Sequence, residues 1–85
     1  MIASGRVQGV GYRWWAKQSA DRRGLTGRVR NLRDRTVEVR AEGEQEELTA
    51  FVGDLFRGPP GGRVDGLRLI WGAATGAFAD FEITT

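Results

Sequence analysis

The chain has 85 residues, of which 40% are hydrophobic and 28% charged, with a formal net charge of +2. It contains no histidine and no cysteine, which excludes Ser-His-Asp catalysis, cysteine phosphatase chemistry, phosphohistidine intermediates, disulfides and the usual zinc ligands. Such a length makes one small domain, residues 1–85, burying roughly 60–65% of its unfolded surface, and so modest a charge does not demand nucleic acid.

Ile2, Ala3 and Val7 read as a short opening strand. It runs into Gly5-Arg6-Val7-Gln8-Gly9-Val10-Gly11-Tyr12-Arg13. Three glycines in this stretch let the backbone curl with its N–H groups inward. At a helix N-terminus such a curl is a nest for an anion. Arg13 adds a planar cationic fork that suits phosphate. A cation at a helix start opposes the dipole, which argues for an anion nearby. The pattern is neither Walker A nor the dinucleotide G-x-G-x-x-G, and taken alone such a turn is more often structural than ligand-binding.

Tyr12 to Arg23 has helical periodicity. Tyr12, Trp15, Ala16, Ser19 and Ala20 share a face, and Gly24 stops the helix. Trp15 is expected in the core, Trp14 partly exposed and Lys17 solvated. Leu25, Gly27 and Val29 alternate with polar residues, as a strand does. A turn spans 32–35, and Val37, Val39 and Ala41 alternate in a second strand, completing a hairpin. Asn31 ends the first of these strands. Asn at such a place usually shapes a turn, although its amide both donates and accepts and so can hold a water.

Glu44, Glu46 and Glu47 open a second helix, with an apolar stripe of Leu48, Phe51, Val52 and Leu55. Gly58 ends it and Pro59-Pro60 prevents its continuation. Val64, Leu67, Leu69 and Trp71 read as a strand. After a loop of small residues, Phe78, Phe81 and Ile83 read as the last. The order βαββαβ plus a terminal strand predicts an α+β, ferredoxin-like sandwich, an antiparallel sheet with both helices packed on one face. RNA-recognition modules of this plan need aromatics on the open face. Here Glu38, Arg40 and Glu42 stand there instead, so no nucleic-acid partner is expected. With no apolar run of ~20 residues and no signal-peptide pattern, a cytoplasmic protein without a membrane partner is expected.

The stretch Gly5–Arg13 resembles the acylphosphatase signature G-R-V-Q-G-V-x-F/Y-R. Gly24-Leu25-Thr26-Gly27-Arg28-Val29-Arg30-Asn31 resembles that family's second signature, G-L-x-G-W-V-R-N. Gly58-Pro59, Val64 and Phe81-Glu82-Ile83 fit its C-terminal half, so the resemblance spans nearly the whole chain. It implies the same ferredoxin-like fold and a metal-independent, cofactor-free hydrolysis of the carboxyl–phosphate bond of small acyl phosphates. By the same resemblance Arg13 and Asn31 are the catalytic residues. Phosphate is bound by Arg13 and the backbone N–H groups of Gln8, Gly9, Val10, Gly11 and Tyr12, and Asn31 orients the attacking water. The protein is expected to be a monomer. The alternative is a non-catalytic small-anion or carbamoyl-phosphate binding module of this fold.

Three departures from the family pattern carry expectations. Only Met1 to Ser4 precede Gly5, which implies a short central strand. Arg28 stands where the family has Trp, which implies less apolar packing there. Asp34-Arg35-Thr36 lacks the usual turn glycine, which implies a different turn geometry.

Overall fold

The computed structural model describes residues 1–85. Its elements in chain order are β1 (Ile2–Arg6), α1 (Tyr12–Arg22), β2 (Thr26–Asn31), β3 (Val37–Glu42), α2 (Gln45–Arg57), β4 (Arg63–Arg68) and β5 (Phe81–Ile83). The strands form one sheet in the order β4-β1-β3-β2-β5. β1 lies inside it, antiparallel to β3 and β4. β2 and β3 form the antiparallel hairpin. This is the ferredoxin-like arrangement. It differs from a purely antiparallel sheet at one edge, where β5 runs parallel to β2.

The alternation read from the sequence decides which face is covered. Val29, Val37 and Val39 are fully buried, with Ala3 of β1 and Phe81 of β5. Against them α1 packs Tyr12, Ala16 and Ala20, and α2 packs Phe51 and Leu55. Phe51 meets Phe81 edge to face, ring centroids 5.9 Å apart, a geometry that aromatic quadrupoles favour. The other face carries charge: Arg30 pairs with Glu38 at 2.8 Å. Arg28 lies on that face between Gly27 and Val29, so it removes no packing from the helix side.

Glycine is required at Gly27. Its φ is 147°, and a Cβ there would lie 1.8 Å from the Arg40 carbonyl oxygen.

Several side chains tie the layers together. Ser19 of α1 donates to Asp54 of α2 at 2.6 Å, and Arg23 reaches the same carboxylate at 2.9 Å. Burial pushes the Asp54 carboxyl up, but the Ser19 and Arg23 hydrogen bonds outweigh it and hold the group below its usual range. Trp15 packs on the core and donates from Nε1 to the Asp54 carbonyl. Lys17, expected to be solvated, is half-buried and donates to the Phe81 carbonyl at 2.8 Å. That bond helps fasten the three-residue edge strand.

The fourth strand ends earlier than the sequence suggests. β4 stops at Arg68, and Leu69, Ile70 and Trp71 are exposed. The alternation at Leu69 and Trp71 finds no neighbour, because β1 supplies partners only as far as Ile2 opposite Arg68. Phe78 likewise stands outside β5. The segment between them is held at Glu42, whose carboxylate accepts from the backbone N–H groups of Thr75 and Gly76.

Candidate active site

The loop from Gln8 to Gly11 joins the end of β1 to the start of α1. Buried Val7 roots one side and buried Tyr12 the other. The Tyr12 hydroxyl donates to the Leu55 carbonyl at 2.7 Å. Burial raises its pKa. Between these anchors Gly9 and Gly11 have φ of 75° and 78°. A Cβ at either would meet nothing within 4 Å. Backbone conformation, not crowding, calls for glycine here, and the space over the loop is open.

The N-terminus of α1 faces this loop. Gly11 supplies no side-chain cap, and the first turn contains no acidic residue. The positive end of the helix dipole and the early N–H groups are therefore left uncompensated by side chains. Arg13 sits in this turn and is half-buried. The ion pairs of the chain use Lys17, Arg22, Arg23, Arg30, Arg57 and Arg63, and Arg13 is in none of them. A dipole end and a guanidinium thus stand together with no carboxylate of the chain paired to them.

Asn31 is the last residue of β2, paired with Val37 across the hairpin. Its Oδ1 is buried and has no hydrogen-bond partner. An unpartnered buried acceptor costs about 1–3 kcal/mol, and Arg28 Nε and Thr84 Oγ1 are likewise buried without a protein partner. The hairpin turn closes with Leu32 N–H donating to Thr36 at 2.9 Å and Arg35 N–H donating to Leu32 at 3.2 Å. Thr36 also donates, from N–H and hydroxyl, to the Asp34 carboxylate. Those bonds hold the Asp34 carboxyl below its ordinary range. Position 35 keeps a left-handed conformation, φ 72°, although it is Arg. The turn therefore accepts local strain where a changed geometry was expected.

One side chain joins the two halves. Gln8 Nε2 donates to both the Leu32 and Thr36 carbonyls, each at 2.9 Å. The glycine loop with Arg13 and the hairpin with Asn31 are thereby held side by side. Sequence reasoning assigned Gln8 only a backbone N–H and missed this use of its amide. A glutamine opening a glycine loop was the only available signal.

A sizeable concavity of the molecule lies elsewhere. It measures about 570 Å³ and is lined by Met1, Val39, Ala41, Leu48, Ile70 and Trp71 among others. It sits at the N-terminal end of β1, whereas the glycine loop follows the C-terminal end. It gathers mostly apolar side chains.

Comparison with known proteins agrees with this geometry. The family model described as Acylphosphatase matches residues 1–83. An acylphosphatase from Methylococcus capsulatus is 47% identical over 83 residues, covering 98% of this chain and 90% of that protein. The crystal structure of acylphosphatase from Bacillus subtilis superposes with a TM-score of 0.96 at 36% identity, covering 99% of this chain and 93% of the other. HypF of T. kodakarensis contains a similar unit, TM-score 0.84 at 31% identity, spanning 12% of that longer chain.

Proposed function

The chain belongs to the acylphosphatase family, and from that premise we propose how its residues divide the work. The activity is acylphosphatase-type hydrolysis of a small-molecule acyl phosphate. The phosphoryl oxygens rest on the backbone N–H groups of Gln8, Gly9, Val10, Gly11 and Tyr12. Arg13 makes bidentate contact with them. Charge that spreads over these oxygens in the transition state is met by donors already in place.

Asn31 Oδ1 accepts a hydrogen bond from the attacking water and so aims the water's lone pair at phosphorus. It is too weak a base to remove the proton. As the water oxygen bonds to phosphorus, the bond to the carboxyl oxygen breaks and its electron pair leaves on the carboxylate. The water proton passes to a phosphoryl oxygen. Carboxylate and inorganic phosphate result, with no metal or cofactor taking part. A carboxylate leaves readily, so positioning and charge stabilisation supply the catalysis.

The observation that carries the reading is the Gln8 bridge, which ties the loop at the uncapped helix start beside Arg13 to the turn that follows Asn31. The proposal places this chemistry in a single-domain, cytoplasmic monomer. No helix is long and apolar enough to cross a membrane. The test is hydrolysis of benzoyl phosphate in EDTA, followed by ultraviolet absorbance, with inorganic phosphate as competitor. Metal-free turnover that phosphate inhibits competitively is expected. Turnover that requires added metal would overturn the proposed division of work. A folded protein that binds phosphate without turnover would support the binding-module alternative.

A further inference from the structure

We propose that the Gln8 side chain is a positioning residue for hydrolysis, setting the distance between the bound phosphoryl group and the water held by Asn31. The proposal rests on the reading of Asn31 as the water-orienting amide. Gln8 Nε2 spends both protons on the hairpin turn, reaching the Leu32 and Thr36 carbonyls at 2.9 Å each. The turn does not need these bonds to close. The Leu32 carbonyl already accepts from Arg35 N–H, and the Thr36 carbonyl from Leu32 N–H. Removing the Gln8 amide therefore leaves neither carbonyl without a partner. The loop is likewise rooted by Val7 and Tyr12 in the core. What the amide adds is the tie between loop and turn.

Leu32 directly follows Asn31, so the tie acts on the residue beside the water site. A backbone carbonyl accepts one bond well and tolerates two. Donating to two carbonyls at once fixes the amide in orientation as well as place. The phosphate would still bind without Gln8, since the N–H groups and Arg13 are intact. The water would lose its alignment, and a displacement of about 1 Å at such a distance costs on the order of 10²-fold in rate.

The experiment compares kcat, KM and the phosphate inhibition constant for wild type, Gln8→Met, Asn31→Ala and the double variant. Met keeps the length and bulk of Gln but has no donor. The expected result is a kcat for Gln8→Met lower by ~10- to 10²-fold. Phosphate inhibition should stay within about threefold of wild type, the loop N–H groups and Arg13 being untouched. Adding Gln8→Met to Asn31→Ala should lower kcat little further, because both act on one water. Multiplicative losses in the double variant, or a Gln8→Met that loses phosphate affinity with kcat, would overturn the proposal. Gln8→Asn keeps the amide but falls one methylene short. It should show the same split and serves if Gln8→Met folds poorly. Full kcat in Asn31→Ala would instead overturn the reading of Asn31, so the two failures are distinct.

Discussion

At the scale of single residues, the chemistry rests on groups the fold leaves without partners. Arg13 opposes the dipole of its own helix, and Asn31 keeps an empty buried acceptor. In the proposed mechanism an anion offsets the first and a water the second. Arg13→Lys preserves the charge but loses the planar fork. It should lower kcat/KM by about 10²-fold, the typical loss for one preorganised donor, and steady-state kinetics checks this. Arg35 shows the opposite case, strain without visible use. A non-glycine residue in the left-handed region costs roughly 1–2 kcal/mol. Arg35→Gly should therefore stabilise the protein by about 1 kcal/mol, net of the unfolded-state entropy glycine adds. Denaturant unfolding should show a higher midpoint with an unchanged m-value. The candidates Arg13 and Asn31 were legible in the sequence because two separate motifs carry them, and their roles are proposed. The Gln8 bridge was not, since a side chain's partners 24 and 28 residues away leave no periodic trace.

At the scale of elements, the helices and hairpin were legible because their apolar positions repeat at 3.6 and 2 residues. The strand at Leu69–Trp71 was misread because alternation reports a pleat but not whether a neighbour exists to pair with it. The parallel setting of β5 also escaped the sequence, since direction is decided by the connection and not by pattern. β5 is short, and Lys17 from α1 supplements its ladder to β2. Lys17→Met should raise hydrogen exchange at Thr84 N–H, which donates to Val29, while leaving the β2–β3 hairpin protected. Gly27→Ala should be far more damaging. Its Cβ would collide with the Arg40 carbonyl across the hairpin. A loss of about 3 kcal/mol or more is expected in denaturant unfolding.

At the scale of the whole molecule, small size and the lack of cross-links make a few carboxylates matter. Asp54, Glu42 and Asp34 are all held below their ordinary range in the fold. Burial opposes this for Asp54, and the hydrogen bonds of Ser19 and Arg23 prevail. For Glu42 the Thr75 bonds dominate, and for Asp34 those of Thr36. A carboxylate depressed on folding stabilises fully above its unfolded pKa, near 4. That stability is lost as pH falls through the folded value. The melting temperature should thus hold steady near neutrality and drop below about pH 4. Asp54→Asn should lower it at pH 7 and flatten the acid limb. The active site is also a property of the whole. The proposed phosphate nest belongs to the β1–α1 half and the proposed water site to the hairpin, so in this account neither half acts alone. The measurement that tests this most directly is kcat together with the phosphate inhibition constant for folded Arg13→Ala and Asn31→Ala. The account predicts that Arg13→Ala loses both turnover and phosphate affinity, whereas Asn31→Ala loses turnover and still binds phosphate. Equal phosphate affinity in the two variants, or unimpaired turnover in either, would contradict it.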